Sequence, residues 1–189
     1  MKKLILGAAV FAAGLFSTAN AQIQEGNWMV GGHVADMRFT NGFELNLQPQ
    51  AGYFIKDNWA VGAKVGLDIL SPKGTSDTQT NWSITPFTRY YFGDNQIDGL
   101  LKNGRFFAEG LVGFGGINSS EGASTNGVQL GIGAGYSYFI SRNVALEGML
   151  NFDTVTGGGN TLGNGNLGFS FGFQIFLPSA KVKAALNDK

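Results

Sequence analysis

The alternation that decides the fold is clearest in the stretch Val144-Ala145-Leu146-Glu147-Gly148-Met149-Leu150-Asn151-Phe152-Asp153-Thr154. One parity is apolar apart from Gly148 and Thr154, whereas Glu147, Asn151 and Asp153 stand on the other. A period of two residues is that of a β-strand, in which successive side chains point to opposite faces. The stretch from Val128 to Ile140 repeats this design. We therefore predict two neighbouring strands of one wall.

The same alternation extends over the chain and predicts eight strands. They cover residues 27–35, 43–55, 59–70, 81–92, 105–116, 127–140, 144–154 and 166–177. Most are close to the roughly 9–11 residues that a tilted strand needs to cross a bilayer. Closure is then obligatory, because an open sheet edge cannot face lipid. The predicted fold is all-β, an eight-stranded antiparallel up-and-down transmembrane β-barrel.

The connections between these strands alternate in length. Two are tight turns, Lys56-Asp57-Asn58 and Ser141-Arg142-Asn143, and they are expected on the periplasmic side together with both termini. Longer polar segments at 36–42, 71–80, 117–126 and 155–165 are expected to be extracellular loops. The connection 93–103 departs from this pattern, since it is long for a periplasmic turn.

Alternation alone does not say which face points outward, because a soluble ligand-binding barrel also alternates. The polar parity carries mainly Gly, Ser, Thr and Gln in mid-strand, where a water-exposed surface would carry Lys and Glu. The apolar parity carries no charge, and its aromatic residues gather toward both ends, as in the girdles of membrane barrels. We therefore expect the apolar face to contact lipid and the small polar residues to fill the centre.

The N-terminus predicts export. Lys2 and Lys3 precede an apolar run from Leu4 to Phe16, and small residues follow in Ala19-Asn20-Ala21. This is the pattern of a signal peptide, here residues 1–21, with cleavage between Ala21 and Gln22. The apolar run is too short for a transmembrane helix, which is the alternative interpretation. The barrel then covers residues 22–177, and residues 178–189 form a short periplasmic tail.

Composition excludes several classes of protein. Cysteine is absent, which excludes disulfides and thiolate chemistry. Without Lys2 and Lys3 the chain has 11 basic and 13 acidic residues, so nothing favours nucleic acid as a partner. Only 14% of residues are charged, compared with about 25% in ordinary soluble proteins. We expect no cofactor, no metal site and no catalytic residue, and we expect a monomer in contact with outer-membrane lipid.

With a signal peptide, alternating strands, short turns and the final strand Gly168-Phe169-Ser170-Phe171-Gly172-Phe173-Gln174-Ile175-Phe176-Leu177, the chain resembles the small outer-membrane β-barrels typified by outer membrane proteins A and X. The resemblance implies that the outer-membrane assembly machinery reads the last strand through its aromatic residues Phe169, Phe171, Phe173 and Phe176. The twelve-residue tail after Leu177 departs from the simplest members.

Four charged residues are inward by parity and lie at similar distances from the periplasmic turns. They are Lys64, Arg89, Glu109 and Glu147. Two cations and two anions in so narrow a space are expected to pair. We predict a salt-bridge cluster that closes the lumen, with Gln50 and Gln174 filling hydrogen bonds. The alternative is that these charges line a wet pore without touching.

Further toward the outside, Glu44, Asp68 and Asp153 also face inward and form an acidic mouth. Such a mouth can attract cations, or its acids can simply be solvated. The only histidine, His33, is inward in the first strand. An esterase-type site would need a serine and a carboxylate beside it, and the sequence identifies neither.

The resulting expectation is a non-enzymatic barrel that supports envelope integrity or surface contact. A narrow porin-like channel for small solutes or cations is the alternative, since glycine lines the lumen and acids line its mouth. A lipid-modifying enzyme dependent on His33 is a third hypothesis.

Overall fold

The computed structural model describes residues 23–38, 42–72, 79–93, 104–119, 125–141, 143–157 and 165–179. The predicted signal peptide with Ala21 and Gln22, nearly all of the tail, and most of the long connection 93–103 lie outside these residues. Within the described part, no helix has the length and apolar character needed to cross a membrane.

The eight predicted strands are all present. They are β1 (Trp28–Arg38), β2 (Gly42–Lys56), β3 (Trp59–Pro72), β4 (Gln79–Tyr91), β5 (Gly104–Ser119), β6 (Thr125–Phe139), β7 (Val144–Thr156) and β8 (Asn166–Leu177). Seven strand ends next to the long loops reach one to three residues further than predicted. Pairing such as Gln79 with Ser119 continues there through polar residues, after the apolar alternation has ended.

The strands form a closed barrel in chain order, and each is antiparallel to the next. β8 returns to β1 and pairs with it from Trp28 opposite Leu177 to Val34 opposite Phe171. Closure leaves no unpaired edge, which is the condition for a sheet surrounded by lipid. The predicted fold class is therefore confirmed.

The two ends of the barrel differ, and we name them by their connections. The turn end carries the tight turns after β2 and β6, where Asn58 has a φ of 65°. Asparagine is among the few residues that adopt this left-handed conformation readily. The segment Ile23–Asn27 lies at the same end, since Asn58 N donates to Ile23 O at 2.9 Å and Gly26 N to Phe54 O at 2.9 Å. The opposite end, where β1, β3, β5 and β7 end, is the loop end.

The outer surface of the barrel is apolar between two sets of aromatic side chains. Ile132 is 68% exposed and Phe171 65% exposed. Outward aromatics near the turn end are Trp28, Tyr53, Trp59, Tyr90, Phe92, Phe106 and Tyr138, and those near the loop end include Trp82, Phe114 and Phe152. The predicted outward parity and both aromatic sets are thus present.

Inward glycines allow neighbouring strands to approach closely. A Cβ added at Gly62 would collide with the carbonyl oxygen of Ala51 and lie 2.7 Å from the ring of Phe87. An eight-stranded barrel has an interior only just wide enough for its side chains, so room at such positions is limited. Glycine at these positions gives the space to the large side chains around it.

Candidate functional site: the barrel interior

The centre of the barrel contains a network of ion pairs between four strands. Arg89 of β4 donates from Nη1 to Glu147 Oε2 at 2.8 Å and from Nε to Glu109 Oε2 at 2.9 Å. Lys64 of β3 donates from Nζ to Glu109 Oε1. All four side chains are at most 3% exposed. The structure therefore brings together the four charges that the sequence places in one layer, and we call this set the ion-pair layer.

Strand register explains why these side chains meet. Arg89 and Glu109 are direct cross-strand partners in the β4–β5 pair, so their side chains leave the same face side by side. Lys64 enters from β3 and Glu147 from β7. In so small a barrel, long side chains from distant strands cross the lumen and meet at its axis.

Further polar contacts surround Glu147. Ser137 Oγ donates to Glu147 Oε1 at 2.6 Å, and His33 Nε2 lies 3.3 Å from Glu147 Oε2. The carboxylate therefore stands between the serine and the histidine. Serine hydrolases need the histidine in that central position, where it takes the proton from the hydroxyl. The companions that the sequence does not identify for His33 are thus present, but in an order that does not form a nucleophilic triad.

Below the ion-pair layer, at the turn end, the lumen is filled by apolar side chains that the sequence analysis did not predict. We call this set the apolar floor, and it consists of Met29, Phe54, Ala60, Tyr91, Phe107, Ala145 and Phe176, with Ile23 and Phe139 packed against it. Phe139 and Phe176 have ring centroids 5.3 Å apart, and Phe54 and Tyr91 have theirs 5.9 Å apart. The floor closes the turn end of the lumen with packed rings.

Aromatic rings also contact the ion-pair layer directly. The guanidinium carbon of Arg89 lies 4.1 Å from the ring centroid of Phe107, and Lys64 Nζ lies 5.5 Å from that of Phe87. Phe87 on β4, Leu111 on β5 and Met149 on β7 each lie two residues closer to the loop end than the charged residue of the ion-pair layer on the same strand. The charges thus lie between apolar side chains on both sides, a position in which an unpaired ion is expensive.

The loop end of the lumen is polar and contains space. A cavity of about 230 Å³ is lined by side chains that include Asn46, Gln48, Asp68, Asn81, Ser83 and Gln129. A smaller one of about 20 Å³ shares Gln48, Ser83 and Gln129 with it and extends to Lys64, Thr85, Asn151 and Asp153. We call the two together the loop-end cavity.

Two of the three predicted mouth acids are found in this cavity. Asp68 Oδ2 accepts a hydrogen bond from Asn81 Nδ2 at 3.2 Å, and Asp153 Oδ2 accepts one from Asn151 Nδ2. The side chain of Glu44 lies outside the described residues. The sequence does not predict that Asn81 is the partner of Asp68, because this contact depends on the β3–β4 register, whereas Asn151 lies two residues before Asp153 on the same face of β7.

Gln50 and Gln174 are buried in the lumen, with 4% and 0% exposure. Neither side-chain amide forms a hydrogen bond with another described residue. The expectation that they complete the hydrogen bonds of the ion-pair layer is therefore not met, and Ser137, Tyr91 and His33 stand around Glu147 instead.

The last strand divides its aromatics between the two faces. Phe169, Phe171 and Phe173 point outward and are 49–65% exposed, whereas Phe176 is 1% exposed and belongs to the apolar floor. An interval of three residues reverses the face in a strand, so Phe176 necessarily turns inward when Phe173 points outward. The role of these residues as an assembly signal stays a prediction.

Comparison with known proteins places the fold among outer-membrane barrels. Neither a family model nor a curated protein matches the chain. Among solved structures, Neisserial surface protein A is similar with a TM-score of 0.58 and 17% identity, over 80% of this chain and 97% of that one. The N-terminal β-barrel domain of Pseudomonas aeruginosa OprF has a TM-score of 0.51 and 16% identity, over 81% and 98%.

A third similar structure is Ail, the attachment invasion locus protein of Yersinia pestis. Its TM-score is 0.50 and its identity 14%, over 82% of this chain and all of that one. At such identities the comparison establishes the fold and leaves the activity open.

Proposed function

We propose that this chain is an integral outer-membrane barrel with a closed lumen, and that its role is structural, in envelope integrity or surface contact. The outward apolar belt between two aromatic sets favours a lipid surrounding. The similar solved structures are barrels of the outer-membrane type, and the similarity covers nearly the full length of two of them. In the proposed orientation the turn end and both termini lie in the periplasm, and the loops face outward.

The observation that carries a structural role is the double closure of the lumen. The ion-pair layer crosses the barrel axis, and the apolar floor lies beneath it. A permeant solute would have to separate four mutually paired charges and then displace packed aromatic rings. The names of two similar structures, a surface protein and an attachment invasion locus protein, fit a role at the cell surface.

We further propose that the barrel is a monomer, and that the assembly machinery recognises β8 through its outward aromatics Phe169, Phe171 and Phe173, with Phe176 acting from the inside as part of the floor. The proposed recognition of β8 is supported by the exposure of Phe169, Phe171 and Phe173 and by the burial of Phe176.

Heat-modifiable gel migration followed by planar-bilayer recording tests this function. Folded wild-type protein should migrate faster than boiled protein and show no steady conductance. Glu147→Leu removes an anion that pairs with Arg89, and it should raise conductance because the cations left in the layer repel each other. A wild-type barrel that conducts steadily, or a Glu147→Leu variant that migrates and conducts like wild type, would contradict closure by the ion-pair layer.

A narrow channel for small solutes or cations is the second candidate. The polar loop-end cavity with Asp68 and Asp153 favours it. Cation-selective conductance of the wild-type protein that falls in Asp68→Asn would support the channel and exclude the closed barrel.

A lipid-modifying activity has weaker support, since Glu147 separates His33 from Ser137. Identical lipid A mass spectra from cells with and without the protein are expected.

A further inference from the structure

The loop-end cavity contains more negative charge than the described part of the chain neutralises. Lys64 and Arg89 are matched by Glu109 and Glu147 in the ion-pair layer. Asp68 and Asp153 face the cavity, and Lys64 lines its deeper part with Asp153, but the ion pairs among the described residues include neither aspartate. Confined charges are normally neutralised by a partner, so this excess favours a bound cation.

Two oxygen atoms in the cavity lack a partner of their own. Asp68 Oδ1 and Asn81 Oδ1 are shielded from solvent and accept no hydrogen bond from the described residues. Asn81 Nδ2 donates to Asp68 Oδ2 at 3.2 Å, which fixes the orientation of the amide and leaves its oxygen as an acceptor. Buried acceptors are nearly always satisfied. One carboxylate and one amide oxygen are therefore available together.

The composition of the cavity selects the kind of cation. Asn46, Gln48 and Gln129 add amide groups to the same wall, and the volume of about 230 Å³ leaves room for several water molecules. Carboxylate oxygens, amide oxygens and water are the ligands of calcium. The described residues contain no group of three or more His, Cys, Asp or Glu that could hold a metal ion. Protein atoms would therefore supply only part of the coordination shell, and water the rest.

We propose that the loop-end cavity binds a hard divalent cation of the calcium type. Asp68 and Asn81 supply direct ligands, and Asp153 adds negative charge from the deeper part. This binding goes beyond the proposed structural role, since a closed lumen and a conducting lumen would both accommodate it. The expected affinity is modest, because a single carboxylate and neutral amides coordinate the ion.

Terbium(III) luminescence provides a direct test, because terbium occupies calcium sites and emits when a nearby tryptophan is excited. Trp82 follows Asn81 in β4 at the loop end, with its side chain on the outer face of the wall, whereas Trp28 and Trp59 belong to the turn end. Folded wild-type protein in detergent should give saturable emission that calcium displaces. Trp82→Phe should lose the emission but keep calcium binding by calorimetry, which assigns the signal to this end of the barrel.

Matched variants connect the signal to the proposed ligands. Asp68→Asn should weaken terbium and calcium binding at least about tenfold, because removing a charged ligand lowers calcium affinity. Glu25→Gln removes an exposed acid at the turn end and should bind like wild type. Heat-modifiable migration first shows that each variant is folded. Equal binding by wild type and Asp68→Asn, or terbium emission that calcium does not displace, would overturn the proposal. Terbium and calcium binding can be detected whether or not the lumen conducts, so failure of the cation site is distinguishable from failure of the closed lumen.

Discussion

The two halves of the lumen are enclosed by one continuous wall, yet they are filled in opposite ways. At the turn end the interior is packed with aromatic rings and paired charges, and Arg89, Tyr91 and Phe176 are at most 1% exposed. At the loop end the interior contains a cavity of about 230 Å³ lined by amides and a carboxylate. The outward parity is apolar along both halves, so the outside of the barrel does not determine what fills it.

This difference divides two tasks within one barrel. The packed half supplies the long-range contacts that join distant strands across the axis, as when Arg89 of β4 reaches Glu147 of β7. The polar half has neighbouring-strand contacts, such as Asn81 to Asp68, and leaves room for a ligand. Stability and closure should therefore depend on the turn-end half, and binding on the loop-end half.

The largest expected effect comes from removing one charge of the ion-pair layer. Glu109→Leu leaves Lys64 without its partner in a buried site, and we expect a loss of about 3–5 kcal/mol in the free energy of unfolding. Urea unfolding in lipid vesicles, followed by tryptophan fluorescence, measures this. A loss comparable to that of an exposed pair, about 0–1 kcal/mol, would mean that the layer is hydrated rather than dry.

The double variant Lys64→Met with Glu109→Leu sharpens this test. It removes one cation and one anion, and it leaves Arg89 paired with Glu147. Replacement of a buried pair by apolar side chains is often neutral, so most of the stability should return. Absence of any recovery would show that the loss arises from packing and not from an unpaired charge.

A similar or slightly smaller effect is expected in the apolar floor. Phe176→Ala opens a cavity among Phe54, Tyr91 and Phe139, and such truncations typically cost about 3–5 kcal/mol. Phe173→Ala on the lipid side of the same strand should lose only the transfer contribution, about 1.5–3 kcal/mol, because lipid fills the space. Urea unfolding of both variants compares the two faces. Equal losses would argue against a packed floor.

The inward glycines should show a smaller difference of the same kind. Gly62→Ala forces a Cβ against the Ala51 carbonyl and the Phe87 ring, and overpacking of this sort costs about 1–3 kcal/mol. Gly148→Ala is the outward control, since its nearest neighbour would be the Phe169 ring at 3.6 Å, and it should change stability by less than about 0.5 kcal/mol. The temperature at which the folded gel band converts to the unfolded band measures the stability of both variants. A Gly148→Ala barrel that converts at a lower temperature than Gly62→Ala would contradict this prediction.

The sequence predicts the ion-pair layer because two simple counts determine it. Parity gives the face of each residue, and distance from the tight turns gives its depth, so Arg89 and Glu109 are placed together before any side-chain geometry is known. Opposite charges in a narrow space then need to pair. The fold follows from the same counts, since a closed barrel is the only sheet that lipid permits.

The sequence analysis does not predict the apolar floor, because it expects small and polar residues to fill the whole centre of the barrel. Phe54, Phe107 and Phe176 share the parity of Gln50, Glu109 and Gln174, so the signal was present in the spacing. Contacts of the loop-end cavity could not be predicted in the same way. Asp68 meets Asn81 only through the β3–β4 register, which loop lengths and strand ends decide together.

The smallest expected effect tests whether the loop-end half is dispensable for stability. Asp68→Asn keeps the shape of the side chain and removes a charge that has no cationic partner among the described residues, so unfolding in calcium-free buffer should change by less than about 0.5 kcal/mol. Added calcium should then stabilise wild type and leave Asp68→Asn unchanged, because a ligand stabilises only the folded state that binds it. A large loss in calcium-free buffer would show that Asp68 is itself part of the packed structure, and the division of the lumen into two halves would no longer hold.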